Sequence, residues 1–321
     1  MRGCIVVYRV IRLDNSMKTK LTNPMQRHYS MVALILCATL LAAPGISRAD
    51  TIYVSNSGYS VIARLDSGTG ASLGFLQGPL VQPEGLAFDR AGNLYIADSY
   101  YYSVEKITPG GTASLFANFG SAGVNEPMGL AIDKQDNVYV ANLANSTILK
   151  ITPGGVGSVF ANSSSGVNRP KGLAFGPDGN LYVANAAGPN ILKFTPDGVG
   201  SVFASSGLLG PTGLAFDKTG NLYVSNIYGP IEKFSPAGTD LGVFVTLDNT
   251  ALGLAFDSQD NLYAVNYWDN AINKITPQGV TSLFIGGLNE PTFIAIVPEP
   301  SILALLNVAL AAMLVLRRRT S

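Results

Sequence analysis

The chain has 321 residues, 21 Lys+Arg, 21 Asp+Glu, two cysteines and one histidine. Cys4, Cys37 and His28 all precede residue 50, so any domain beyond that point lacks disulfides, a Ser-His-Asp or Cys-His triad, and a His-ligated zinc or iron site. The formal charge of zero hides an asymmetry: eleven Lys+Arg stand against twenty Asp+Glu between Asp50 and Pro300, an acidic balance that repels a phosphate backbone and excludes nucleic acid as a partner.

In chain order, Lys18, Lys20 and Arg27 precede a short apolar run, Met31–Pro44, followed by Ser47-Arg48-Ala49. The run is short for a bilayer-spanning helix. Small residues at minus three and minus one mark Ala49–Asp50 as a signal-peptidase site, so residues 1–49 are expected to be a signal peptide. The residues before Met17 or Met25 read as an over-extended start.

Ile52–Asn56, Val61–Leu65 and Ser72–Leu76 are short runs with strand character. A phrase then begins that returns five times: Pro83-Glu84-Gly85-Leu86-Ala87-Phe88-Asp89, a turn, and Gly92-Asn93-Leu94-Tyr95-Ile96-Ala97-Asp98. Its first glycine recurs at Gly85, Gly129, Gly172, Gly213 and Gly253, a spacing of 40 to 44 residues. Each copy supplies four strand-length runs; in the first, Val104–Thr108 and Ala113–Ala117 follow the phrase. A period near 40 built only of strands predicts an all-β propeller of four-stranded blades. The ends are incomplete in complementary ways. The N-terminal runs lack a first strand, and Pro291–Ile296 matches a first strand with nothing after it. Pairing strand 292–297 with the N-terminal runs completes a sixth blade and closes the ring over residues 50–297.

The chain finishes with Val297-Pro298-Glu299-Pro300, an apolar stretch Ser301–Leu316, and Arg317-Arg318-Arg319. These three parts resemble the PEP-CTERM sorting signal over 298–321; the plainer alternative is a tail anchor with cytoplasmic arginines. The resemblance implies a transmembrane helix at 301–316 that holds the protein briefly in the inner membrane of a Gram-negative bacterium. It further implies an exosortase that cuts near Pro298-Glu299-Pro300, and delivery to the cell surface or an exopolysaccharide matrix.

The repeated phrases, with Asn145 and Lys150, Asn190 and Lys193, and Asn270 and Lys274, resemble the NHL repeat from about Thr51 to Val297. That resemblance specifies the fold and no single activity. Related gluconolactonase- and regucalcin-like propellers hold a divalent cation above the central channel, with ligands that include the residue between Pro and Gly of the opening phrase. Those positions here are Glu84, Met128, Lys171, Thr212, Leu252 and Thr292. Of these only Glu84 offers a carboxylate, so the chain departs from that family where its chemistry lives. No cofactor is expected, the exception being a weak calcium site at Glu84 and Asp98.

Asp98 belongs to a ring of amides and acids that ends each second strand: Asn56, Asp98, Asn142, Asn185, Asn226 and Asn266. Their plain role is to cap turn amides. Asp89, Asp133, Asp217 and Asp257 recur in the hairpins of the opposite face and read as structural; Gly176 replaces the acid in one copy, beside Pro177-Asp178-Gly179. The loops after the second strands vary. They carry Tyr59, then Tyr100-Tyr101-Tyr102, then Tyr228, and then Tyr267-Trp268, on four blades that become neighbours when the ring closes. These rings are the candidate ligand-binding residues, suited to stacking on sugars, with packing over blade edges as the alternative. The expected function is an exported, non-catalytic binding or scaffold propeller for extracellular polysaccharide or a surface protein. The alternative is a lactonase- or lyase-like enzyme using Glu84 and Asp98 as acid–base carboxylates.

Overall fold

Runs of four to seven residues rich in Val, Ile, Leu and Tyr, each bounded by Pro, Gly, Asn or Asp, fold as 24 strands. The computed structural model describes residues 50–297 other than Tyr228. The expected signal peptide with Ala49, the expected sorting signal with Pro298, Glu299 and Pro300, the helices expected at both termini, and Tyr228 lie outside the described residues.

The first three strands are β1 (Thr51–Asn56), β2 (Val61–Asp66) and β3 (Ser72–Leu76). Four complete blades follow as β4 (Pro83–Phe88) to β7 (Ala113–Asn118), β8 (Pro127–Ile132) to β11 (Gly157–Ala161), β12 (Pro170–Phe175) to β15 (Gly200–Ala204), and β16 (Pro211–Phe216) to β19 (Asp240–Val245). The last full blade is β20 (Ala251–Phe256) to β23 (Thr281–Ile285), and β24 (Pro291–Val297) ends the ring. Each sheet is a four-stranded antiparallel meander, and β24 pairs with β1, with Thr51 opposite Val297. The fold is a six-bladed β-propeller closed as the sequence predicts. Every sheet is complete within residues 50–297, which therefore make a full folding unit. Among the described residues no helix is long and apolar enough to cross a membrane.

The first strand of each blade lines the axis, where β4, β8, β12, β16, β20 and β24 contact one another in succession around the ring. Second strands such as Leu94–Asp98 and Leu181–Asn185 are buried along their whole length, because neighbouring blades cover both faces. Outer strands keep exposed apolar positions, among them Leu115, Val159 and Leu283. Six apolar clusters fill the six interfaces between blades, so the core is a ring of wedges rather than one central mass.

The repeated glycine answers to crowding at the axis. A methyl group on Gly85 would overlap the Met128 carbonyl, and one on Gly213 the Leu252 carbonyl of the next blade. Only glycine allows backbones to approach so closely. The closing strand carries Phe293 at this position, and it lines an axial cavity of about 90 Å³ together with Gly129, Gly172, Gly213 and the leucines that follow them.

Candidate functional site

The upper face, where each inner strand begins, is built by a local device found in all six blades. The inner strand bulges at the two residues after its first: in β4, Pro83 faces Asp98 and Leu86 faces Ile96, leaving Glu84 and Gly85 opposite Ala97. The bulge turns the first of the two residues toward the channel mouth. Glu84, Met128, Lys171, Thr212, Leu252 and Thr292 thus form one ring.

Two hydroxyls of that ring are already committed. Thr212 donates to the Ala251 carbonyl at 3.1 Å, and Thr292 donates to the Pro83 carbonyl at 3.2 Å. The Thr292 bond, with Ser55 donating to the Glu84 carbonyl and Ser57 to the Pro83 carbonyl at 2.5 Å, stitches the closing blade to its neighbour. Glu84 is different. Its Oε2 is buried and has no hydrogen-bond partner among the described residues. Burial pushes its carboxyl up to about 8, against the Thr292 hydroxyl and the Lys171 ammonium, which lower it; Asp98 and Glu126 push it further up. Lys171 moves the other way. Burial lowers its pKa, as does Arg169, while Glu84 and Glu126 raise it. Desolvation therefore drives both groups toward their neutral forms.

Asp98 lies close enough to raise the Glu84 pKa, yet its own oxygens are occupied. Its carboxylate accepts from the backbone N–H groups of Val81 at 2.7 Å, Tyr100 at 3.0 Å and Tyr101 at 3.1 Å, with Gln82 at 3.4 Å. The asparagines at equivalent positions do the same work. Asn142 accepts from Asn125 N–H at 3.1 Å and donates to the Gly123 carbonyl at 2.9 Å, and Asn226 accepts from Leu209 N–H at 2.9 Å. The capping role read from the ring of amides is what the geometry displays. Of the Glu84–Asp98 pair, Glu84 alone keeps a carboxylate oxygen without a partner. Among the described residues no three Asp or Glu side chains converge as a metal site. A cation bound through several protein carboxylates does not fit a mouth that places Met128, Leu252 and the Lys171 ammonium beside Glu84.

The aromatic residues sit on the rim of the same face. Tyr59, Tyr100, Tyr101, Tyr102 and Trp268 are exposed, Trp268 to 68%. Tyr59 ends a short 3-10 turn, Ser57–Tyr59, whereas Tyr100 to Tyr102 and Trp268 lie on turns. They form edge-to-face pairs: Tyr100 with Tyr101 at 5.2 Å between centroids, and Tyr267 with Trp268 at 4.9 Å. Tyr267 is half-buried, and burial raises its phenol pKa, with Glu290 and Glu84 adding to the effect. The packing alternative holds in part for Tyr267 and not for the exposed rings.

The opposite face repeats. Asp89 accepts from Ala91 and Asn93 N–H at 3.0 and 2.8 Å, from the Asn93 amide at 2.7 Å and from the Tyr95 hydroxyl at 3.3 Å. Asp133, Asp217 and Asp257 make the corresponding sets. Where Gly176 replaces the acid, Asp178 reaches the same partners from inside the turn, accepting from Asn180 Nδ2 at 2.7 Å and Tyr182 OH at 3.1 Å. A methyl on Gly176 would strike Asp178 Oδ1, so the missing side chain makes room for the substitute. Burial works against ionisation of Asp178, but Lys193 at 2.8 Å, Asn180 and Tyr182 bring its pKa down to about 2.

Residues 47–187 match a family model described as SMP-30/Gluconolactonase/LRE-like region. A comparison with curated proteins gives no match. Among solved structures, the nidogen/laminin complex contains a chain with 20% identity and a TM-score of 0.67, covering 78% of this chain and 98% of that one. A virginiamycin B lyase from Staphylococcus aureus shares 20% identity over 66% of this chain and 73% of its own, with a TM-score of 0.54. A gluconolactonase from Xanthomonas campestris shares 18% identity over 76% and 88%, with a TM-score of 0.59. The likeness is one of fold. Two of these relatives are named as enzymes and the other for a nidogen/laminin complex, so the fold by itself does not choose an activity.

What sequence reasoning missed is the mutual electrostatic influence of Glu84 and Lys171. Lys171 reads in sequence only as a residue hostile to a cation, and its distance from Glu84 along the chain conceals that the two share one mouth.

Proposed function

We propose that the chain is an exported, non-catalytic propeller that binds polysaccharide through the upper face, and that its C-terminal segment is a sorting signal read by an exosortase. Delivery to the cell surface or exopolysaccharide matrix follows from that tail and from the expected signal-peptidase site before Asp50. The observation that carries the binding reading is the set of exposed Tyr59, Tyr100, Tyr101, Tyr102 and Trp268 on one face of adjoining blades. Flat rings with a polar edge stack on the apolar faces of sugars at low entropic cost. The test is retention of the protein on the producer's own polysaccharide in affinity electrophoresis. Trp268→Ala and Tyr101→Ala are expected to weaken retention about tenfold each, at roughly 1.4 kcal/mol per tenfold. Unchanged retention in both variants would falsify the reading.

A second reading has its own support. Glu84 is a buried carboxyl raised to about 8, and the matched family model includes gluconolactonases, so a lactonase- or lyase-like reaction with Glu84 as general acid is the enzymatic alternative. Calcium belongs to this reading, with Glu84 as the residue that would hold it. Turnover of a sugar lactone that Glu84→Gln abolishes would establish it.

A further inference from the structure

We propose that a divalent cation of the calcium class binds at the upper end of the interface between the closing blade and the β4–β7 blade, held by the Glu105 carboxylate and the Ser103 hydroxyl beside the charge of Asp98. The site lies between blades, apart from the channel mouth. It rests on neither the polysaccharide reading nor the lactonase one.

Strand register brings these side chains together. Asp98 ends β5 (Leu94–Asp98) and faces Ser103, which opens β6 (Ser103–Ile107); between them lies the exposed Tyr100–Tyr102 turn. Glu105 stands two residues further along β6, opposite Ile96. Residues opposite one another, and residues two apart on a strand, share one face of the sheet. That face packs on the closing blade: Leu94, Ile96 and Ile107 cluster with Ile62, and Leu80 joins them from the loop between β3 and β4. The loop is pinned from both blades, with Ser60 donating to the Val81 carbonyl at 2.9 Å and the Val81 N–H donating to Asp98 at 2.7 Å. Asp98, Ser103 and Glu105 are at most 4% exposed.

Within this layer Glu105 is a carboxylate at an apolar position. The equivalent residues of the next two blades, opposite Val140 and Val183, are Leu149 and Leu192, both in apolar clusters. Ser103 Oγ donates to Glu105 Oε1 at 3.1 Å, but Oε2 is buried and has no hydrogen-bond partner among the described residues. A buried carboxylate oxygen left unsatisfied is costly. A proton does not remove the cost, because an O–H at Oε2 would find no acceptor. Nor does an ion pair, since Glu105 and Asp98 make none within 4.0 Å among the described residues. The charge that acts on Glu105 is Asp98, of like sign. A cation between them answers both deficits.

The cap has changed in the same direction. In the next three blades the asparagine amide donates to a carbonyl nineteen residues back, Gly123, Gly166 or Gly207, at 2.9, 3.0 and 3.3 Å. Asp98 has no such hydrogen to give, so the Pro79 carbonyl at that position lacks this donor. This blade therefore replaces a leucine and an amide by two carboxylates, and what it gathers is oxygen alone: carboxylate, hydroxyl and carbonyl. Calcium takes such hard donors, with water completing about six to eight ligands. The acidic balance of the ring favours a cation here as it opposes an anion. Glu232, buried at the same strand position of the β16–β19 blade, supplies the contrast. Its cap is the neutral Asn226, whose amide donates to the Gly207 and Pro230 carbonyls, so the pair of carboxylates is not repeated there.

The experiment titrates calcium into the 50–297 ring by calorimetry and follows terbium luminescence excited through tyrosine. Melting temperature is measured with and without calcium. Wild type is expected to bind one calcium with a dissociation constant of about 10⁻⁴ to 10⁻³ M, to sensitise terbium through Tyr100 and Tyr101, and to melt higher with calcium. Glu105→Gln should weaken calcium by about tenfold or more. Glu105→Leu restores the residue of the next two blades. It should abolish binding and melt at or above the wild-type temperature without calcium, which separates loss of a ligand from loss of the fold. Glu84→Gln and Glu232→Gln should leave the affinity unchanged. Absence of saturable binding up to about 10 mM calcium, or binding that survives Glu105→Leu, overturns the proposal. So does binding lost on Glu84→Gln and kept in Glu105→Gln, which would move the cation to the channel mouth. No sugar enters the titration, so failure here leaves the polysaccharide reading standing.

Discussion

The two faces of the propeller come from the same repeat and have opposite characters. On the lower face an aspartate, an asparagine, a tyrosine and a lysine recur with nearly constant geometry. Lys150 lies 5.4 Å from the Tyr139 ring centre, Lys233 4.9 Å from Tyr223 and Lys274 5.1 Å from Tyr263. Even the blade that loses its aspartate at Gly176 restores the network through Asp178. On the upper face the bulge and the cap are constant, and the residues beyond them change from blade to blade. Repetition on one side fixes the ring, which leaves the other side free to vary without loss of the fold.

That contrast can be broken from either side. The largest effect is expected at the axis. Gly213→Val forces a side chain into the Leu252 carbonyl and should cost more than about 3 kcal/mol, enough to abolish the cooperative melting transition in calorimetry. Next comes the lower face. Asp257→Ala removes the acceptor for two backbone N–H groups, the Asn261 amide and the Tyr263 hydroxyl, and should cost about 2 kcal/mol in urea unfolding while leaving ligand binding unchanged. In the rim, Trp268→Ala should invert the pattern, with stability within about 0.5 kcal/mol of wild type and binding reduced. A further contrast lies in pH dependence. Glu84 has a folded pKa raised above its unfolded value, so the folded state binds more protons between about 4.5 and 8, and stability falls as pH rises through that window. Glu84→Gln should flatten this decline in melting temperature. Asp178 runs the other way: its depressed pKa contributes stability above the unfolded value that is lost as pH falls toward 2, and Asp178→Asn should remove that acid-limb slope.

The lower face and the ring were legible in the sequence because each of their requirements is local. Gly85 is needed for a close approach at a fixed point in every repeat, Asp89 for a turn four residues long, and Asn142 for a loop seventeen residues back. Repetition makes such needs visible five times over. The closing strand was legible for the same reason, since Pro291-Thr292 keeps the repeat's opening even where Phe293 replaces glycine. The mouth was not. Glu84 and Lys171 are 87 positions apart, occur once each, and matter only because non-adjacent blades face one axis. The exposed tyrosines fall between these cases. Their position on one face followed from aligning the repeats, but the half-burial of Tyr267 depends on packing that alignment does not report.

The seam between β1 and β24 also gives the ring a direction. Thr51 opposite Val297 places the first and last turns of the barrel side by side, at the end where the inner strands finish, which is the end of the repeated hairpins. Val297 therefore stands on the face away from Trp268 and the axial mouth, and both ends of the described chain, Thr51 and Val297, meet on the side of the repeated hairpins.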